Sequence, residues 1–330
     1  MITQTDIPDV IRFKPYFKNV LWGGDRIAGF KNLPPQGDRV GESWELSPMA
    51  GHESVIDGGP FDGRTLNDMV GVYGPAILGE RVTARFGNSF PLLVKFIDSA
   101  DDLSIQVHPD DFLAARRHSS LGKTEMWLIL KPASHGYLYA GFSKKLDAES
   151  YRRAIAENTI VSCLNRIDTV PGDVFMLPPG RVHSIGRGNF LVEIQQASDI
   201  TYRIYDFDRR GEDGQPRELH IEESVDAVDF NDLDVHARKA DYDATTPFVL
   251  ATCQYFTAKL VNLTAPVSLE LATGQSFTVI IAVEGDSVLT DAAGNPHPLA
   301  QGTTVLIPAR VSEMHAAPAG PLSRLVTVEV

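Results

Sequence analysis

Within residues 102–111, DLSIQVHPDD, an apolar run carries Gln106 and His108 two positions apart and then stops at His-Pro-Asp-Asp. Side chains in a strand alternate between faces, so Ser104, Gln106 and His108 share one face while Ile105 and Val107 take the other. Imidazole nitrogen and amide or carboxylate oxygen are donors that a zinc ion accepts. Further on, KTEMWLIL places Lys123 two residues before Glu125, on the same face if the strand already runs there. Lys95, in PLLVKFID, has apolar neighbours on both sides and is read as facing an interior. His183 follows the run GDVFMLPPGRV, and Glu193 and Arg203 stand ten residues apart in EIQQASDITYR.

The elements that must position these groups read mostly as strands. FPLLVKFID, LSIQVH, EMWLIL, HGYLYAGF, DVFMLP, NFLVEIQQ and TYRIYDFD are short β-branched or aromatic runs divided by Gly, Pro, Asn and Asp, the pattern of a sandwich or small barrel. Three stretches have helical spacing: residues 65–87, residues 146–164 with Asp147 or Ser150 as cap and Tyr151, Ile155 and Val161 as one stripe, and residues 218–230. Residues 231–247 are polar and poor in strand formers and read as a linker. Across it runs a repeat: Gly172 to Pro178 and Gly302 to Pro308 share the pattern Gly, two residues, three apolar residues, Pro, at an offset of 130 residues. In this alignment His183 falls on Glu313, so the second copy keeps the punctuation and loses the histidine. Two units are expected, residues 1–235 and residues 236–330.

At 330 residues and 43% hydrophobic content the chain has enough apolar material for two cores. The net charge of −13, from 30 Lys and Arg against 43 Asp and Glu, repels nucleic acid and anionic membranes, so neither is an expected partner. An anionic substrate would have to be captured by local cations against that field. The two cysteines, Cys163 and Cys253, form no disulfide framework or thiolate zinc site and fit a reduced, cytoplasmic setting. No signal peptide or membrane-spanning run is read.

The spacing from Gly172 through Pro178 and Gly180 to His183 resembles the second motif of the cupin superfamily, although Arg187 stands where that motif closes on asparagine and Asn189 comes two residues later. The combination of Gln106-x-His108-Pro109, Lys123-x-Glu125 and the distant His183 resembles the type I phosphomannose isomerases in their short bacterial form. KPYFKNVLWGGDRI, GESWELS, PLLVKFIDSADDLSIQVHPDD, GKTEMWLIL and EIQQASDITYRIYDFDR extend the resemblance over about residues 14 to 210. It implies a mostly β fold of two cupin-type jelly-roll barrels, with helical additions on the N-terminal catalytic unit and a degenerate second barrel. It also implies zinc-dependent interconversion of mannose 6-phosphate and fructose 6-phosphate through a cis-enediol.

The ligand set so implied is His108, Glu125 and His183 with Gln106 alongside, one Zn2+ per chain, and the residue types agree with an open, thiolate-free site. Aldose–ketose exchange needs a base to move a proton across one face of an enediol and positive charge beside its oxygens. Lys123 and Glu193 are the candidate bases, and the sequence does not choose between them. The resemblance makes Arg203 essential, as stabiliser of the enediolate or grip on the phosphate; a salt bridge to Asp206 or Asp208 is the bland alternative. Lys95 is a candidate phosphate or hydroxyl contact, an edge charge being the alternative; Trp22 and Trp44 wall the pocket or pack; and Glu42 is a candidate partner of sugar hydroxyls or a structural residue. His52, His118, His135, His220, His236, His297 and His315 are given no site role. The partner is a small phosphosugar, and a monomer or weak homodimer is expected. Two competitors remain: an Fe(II) oxygenase built on the same two-His-one-carboxylate set, and a sugar-binding cupin without chemistry.

Overall fold

A computed structural model describes residues 6–211, 214–233, 235 and 237–330; His236 lies outside the described residues. The strand runs read from the sequence form Leu92–Asp98, Ile105–Val107, Glu125–Ile129, Tyr137–Phe142, Asp173–Leu177, Phe190–Gln196 and Tyr202–Tyr205. They sort into two antiparallel sheets. A seven-stranded sheet has the order Arg238–Lys239, Asp173–Leu177, Glu125–Ile129, Phe190–Gln196, Leu92–Asp98, Val40–Leu46, Tyr16–Gly24. A five-stranded sheet has the order Tyr202–Tyr205, Ile105–Val107, His183–Ile185, Tyr137–Phe142, Leu164–Asp168.

The two-residue period decides what each face meets. Leu92, Val94, Phe96, Met126, Leu128, Val192 and Ile194 point away from the small sheet into the largest core cluster, shared with the C-terminal sheet. Ile97, Trp127, Ile129 and Leu191, of opposite parity, meet Leu138, Ala140 and Ile185 of the small sheet. That second cluster is the interior of a jelly-roll sandwich, and Lys95, Glu125 and Glu193 share its parity. On the small sheet, Ile105, Val107, Tyr202 and Ile204 face outward against Tyr151, Ala154 and Ile155 of the helix Ala148–Ala156. Gln106 therefore faces inward.

The C-terminal strands repeat the plan. Phe248–Thr252, Thr257–Leu263, Ser323–Glu329, Thr278–Glu284 and Thr304–Ile307 form a large sheet, and Val267–Ser268, Met314–Pro318, Ser287–Asp291 and Pro296–Leu299 a smaller one. Their shared interior is mostly apolar, with Leu263, Ile280, Leu289, Val305 and Met314, and the buried Ser287 and Ser323 bond each other. The repeat is visible in the backbone: Gly172 and Gly302 adopt φ of 82° and 79°, a region open to glycine, and each precedes its strand. Three short strands cross the division at residue 235: Ile11–Lys14 and Val55–Ile56 complete the C-terminal large sheet, and Arg238–Lys239, inside the expected linker, edges the first.

The helical stretches form with shorter bounds. Residues 65–87 give Leu66–Leu78, capped by Thr65 with a reciprocal bond from Asp68, and Glu80–Phe86, the break falling at Gly79. Ala148–Ala156 is capped by Asp147, and its stripe ends at Ile155; Val161 lies beyond, in the 3-10 turn Ile160–Cys163, after Asn158 leaves the helical region at φ 54°. The third helix is Ile221–Ala227. Two further helices, Arg26–Phe30 and Asp111–His118, lie outside the stretches with helical spacing. Among the described residues no helix is long and apolar enough to cross a membrane.

Candidate metal centre and substrate cavity

Strand register brings distant residues to one place. His183 pairs with Gln106, and Gln106 pairs on its other side with Arg203, so three residues scattered over the sequence lie abreast on the inward face of the small sheet. On the large sheet Glu193 lies between Lys95 and Trp127, and Glu125 pairs with Gln195. The interior is where the two rows meet.

His108, Glu125 and His183 converge there, all buried, with ligand atoms within 4.8 Å of one another. Among the described residues no other cluster of three such side chains forms. His183 Nε2 is 3.2 Å from Glu125 Oε1 and His108 Nε2 is 3.6 Å from Oε2. Each imidazole bonds a backbone carbonyl through Nδ1, His108 to Ile200 and His183 to Arg181, both at 2.8 Å. Donation from Nδ1 leaves Nε2 as a lone pair aimed at the cluster, the tautomer that metal ligation uses. Glu125 is fully buried, and neither oxygen accepts a well-formed hydrogen bond among the described residues. A buried carboxylate faced by two imidazole Nε2 atoms, with the Lys123 ammonium as its only close cation among the described residues, fits a divalent cation. Gln106 Nε2 lies 3.4 Å from His183 Nε2, and turning the amide end for end presents its oxygen there instead.

Charge states agree with that fit. Burial pushes the Glu125 carboxyl up, but the adjacent Lys123 ammonium outweighs it and holds it well below the usual carboxylate range. Burial, with Lys123 beside it, drives His108 well below its ordinary value, so the ring is neutral. An ionised carboxylate and a neutral imidazole are the forms that bind metal. Lys123 extends from just before its strand: Nζ is 2.8 Å from Glu125 Oε2 and 3.2 Å from His108 Nε2.

Beside the cluster opens a cavity of about 330 Å³ lined by Lys18, Lys95, Lys123, Arg203, Arg217, Glu42, Glu193 and Asp199, with Trp22, Ser104, Gln106 and Thr201 among its walls. Five cations against three carboxylates reverse, locally, the sign of a chain that carries −13 overall. Lys95 Nζ is 3.1 Å from Glu193 and 3.7 Å from Glu42, over the ring of Trp44. Burial alone would lower its pKa; the two carboxylates, with Asp199, raise it above the ordinary lysine value. Glu193 also accepts from Trp127 Nε1 at 2.9 Å, and Glu42 from Trp44 Nε1 at 2.6 Å. Burial would raise Glu42, but Lys95, Lys18 and the Trp44 N–H hold it low.

Arg203 is half-buried, and Nη1 donates to the Glu218 carbonyl at 2.9 Å. Its Nε is buried with no hydrogen-bond partner, and burial together with Arg217 disfavours its charge. The expected competitor, Asp206, is instead held by Arg209 and Arg217. Trp22 walls the cavity, while Trp44 is buried behind Lys95. Asn189, displaced by two residues from the cupin position, is structural: it bonds the Tyr137 and Gly186 carbonyls and Thr169.

Sequence reasoning misses Lys18, Asp199, Thr201 and Arg217. Asp199 and Thr201 sit between Glu193 and Arg203, and their proximity to both is the available signal; Lys18 and Arg217 offer no local one.

Two facing jelly rolls, with donors gathered inside only the first among the described residues, define a two-barrel cupin whose N-terminal barrel carries the chemistry. The pattern described as "Phosphomannose isomerase type I, catalytic domain" matches residues 10–128, and "Mannose-6-phosphate isomerase, cupin domain" matches residues 244–321. The chain is 33% identical over 310 residues to mannose-6-phosphate isomerase ManA of Bacillus subtilis, covering 91% of this chain and 93% of that protein. It is 36% identical over 212 residues to the mannose-6-phosphate isomerase of Streptococcus mutans, covering 63% and 64% of the two chains. The crystal structure of a mannose 6-phosphate isomerase from Bacillus subtilis superposes with a TM-score of 0.86 at 26% identity, covering 98% of this chain and 100% of that one. The chain belongs to the type I phosphomannose isomerases, a metal-dependent family of isomerases.

Proposed function

We propose that the chain interconverts mannose 6-phosphate and fructose 6-phosphate with one Zn2+ held by His108, Glu125 and His183, Gln106 standing as fourth donor. The observation that carries this is the convergence of two imidazole Nε2 atoms on a buried carboxylate, beside a cation-rich cavity. Bound there, Zn2+ would supply positive charge next to the oxygens of carbons 1 and 2.

The remaining work falls to side chains. We assign Lys123, whose Nζ reaches the ligand set at the cavity wall, the role of the base that in its neutral form carries a proton between carbons 1 and 2 on one face of the cis-enediol. Glu193 is the less suited base, because Trp127 and Lys95 already engage its two oxygens; it orients Lys95 and receives a sugar hydroxyl. Arg203 offers its unpartnered Nε and planar fork to the enediolate or phosphate oxygens. Lys95 and Glu42 contact the hydroxyls, and Trp22 packs on the sugar. The division of labour follows residues 1–235 and 236–330, the second barrel having no metal cluster among its described residues. Free, separated Cys163 and Cys253 suit a cytoplasmic enzyme.

A coupled assay of fructose 6-phosphate formation from mannose 6-phosphate, with and without chelator, tests this reading. Turnover that chelation abolishes and zinc restores is expected. No turnover at millimolar substrate would favour a sugar-binding cupin, and iron as the bound metal, with zinc inactive, an oxygenase.

A further inference from the structure

We infer that the C-terminal barrel braces the metal centre through a single carboxylate, which makes Asp111 and Tyr255 positioning residues for His108 and Glu125. The inference rests on the metal reading above and gives the second barrel a role in it.

Asp111 lies three residues after His108 and opens the helix Asp111–His118. Its Oδ1 accepts from the Gly122 backbone N–H at 2.8 Å and from Gln196 Nε2 at 2.9 Å. Gln196 in turn accepts, through Oε1, the N–H of Thr124 at 2.8 Å. Thr124 separates Lys123 from Glu125, and the Lys123 N–H donates to the Pro109 carbonyl at 3.1 Å. The loop that delivers His108 and the loop that delivers Lys123 and Glu125 are thus stitched together, with Asp111 in both halves of the seam.

The other oxygen of Asp111 reaches out of the domain. Oδ2 accepts from the Tyr255 hydroxyl at 2.7 Å, and Tyr255 belongs to the turn between Phe248–Thr252 and Thr257–Leu263 of the C-terminal sheet. Tyr255 is buried, and the Arg85 guanidinium lies 5.1 Å over its ring. A hydroxyl on a carboxylate at this distance is a charge-assisted bond, stronger than a neutral one. A metal site tolerates only a few tenths of an ångström of ligand displacement, so what fixes these two loops fixes affinity. Partners bonded directly to ligands cost roughly 10- to 100-fold in metal affinity when lost, and Asp111, which acts through the loops, falls at the low end of that range.

Zinc and cobalt dissociation constants of the full-length protein, measured by competition with a chromophoric chelator, test the brace. Tyr255→Phe removes only the hydroxyl and is expected to weaken binding about fivefold; Asp111→Ala is expected to weaken it about 10-fold, the low end for lost ligand partners, and to shift the visible spectrum of the cobalt form. Asp111→Asn, which keeps an oxygen for Gly122 and Gln196, should recover most of the loss. The double variant Tyr255→Phe/Asp111→Ala should bind no more weakly than Asp111→Ala, because the hydroxyl acts through the carboxylate. Circular dichroism identifies variants that fold. Dissociation constants within twofold of the parent in both single variants, or fully additive losses, overturn the inference; if Asp111→Ala does not fold, Tyr255→Phe alone decides by the same twofold limit. A parent protein that binds no metal would instead defeat the metal reading.

Discussion

Replacing Lys95 with Met isolates what one buried cation does for the cavity. The ammonium sits 3.1 Å from Glu193 and 3.7 Å from Glu42, with all three side chains nearly inaccessible. At an effective dielectric constant of about 20 these separations correspond to roughly 5 and 4 kcal/mol of attraction, upper bounds that desolvation of the lysine partly offsets. Methionine keeps most of the stem's volume over Trp44 but leaves Glu193 without its close counter-charge and Glu42 with only Lys18, 3.9 Å away. Breaking a buried pair from one side costs about 3–5 kcal/mol, a large share of the roughly 5–15 kcal/mol that holds a domain folded. Urea unfolding followed by tryptophan fluorescence should show this loss near neutral pH, since Trp44 and Trp127 both touch the network. Adding Glu193→Gln to Lys95→Met should restore at least half, because the amide needs no cation. A Lys95→Met protein within about 1 kcal/mol of the parent, or a double variant no better than the single, would refute the reasoning.

Arg203→Ala should leave metal content intact and lower kcat by about 10²–10³, the usual effect of removing one preorganised donor; mass spectrometry of bound metal with steady-state kinetics checks both. His183→Ala should lose metal and turnover together, and activity surviving without bound metal would reject the ligand assignment. Acidification should destabilise the metal-free protein. The His108 pKa is depressed in the fold from its ordinary 6.5, so below that pH the unfolded chain takes up a proton the folded one excludes, and stability falls until the folded value is passed. Thermal melts of the apo form from pH 8 to 5 should show the decline, and His108→Gln should flatten it.

Much of the site is legible in the sequence because the barrel interior forces a conflict within otherwise apolar strands. Lys95, Gln106, His108 and Glu125 stand out against aliphatic neighbours, and a period of two assigns their face without tertiary knowledge. Arg217 cannot be found that way: it follows a polar stretch and reaches the cavity only because Asp206 holds its guanidinium. The helix Asp111–His118 hides in a run that reads as the polar end of a strand. Its signals are Asp110 as cap, with a bond from Leu113 N–H, and the basic last turn Arg116, Arg117 and His118. The exchange of Ile11–Lys14 into the C-terminal sheet pairs residues nearly 300 positions apart, as in Ile11 with Leu306, and no local pattern encodes such a pairing.

Diffraction at the zinc absorption edge from a crystal soaked with fructose 6-phosphate tests the central claim most directly. The account predicts one anomalous peak about 2.0–2.2 Å from His108 Nε2, His183 Nε2 and a Glu125 oxygen, with the sugar phosphate in the adjoining cavity. A zinc-loaded, active crystal whose peak lies elsewhere, or whose Glu125 carboxylate stays out of the coordination sphere, would contradict it.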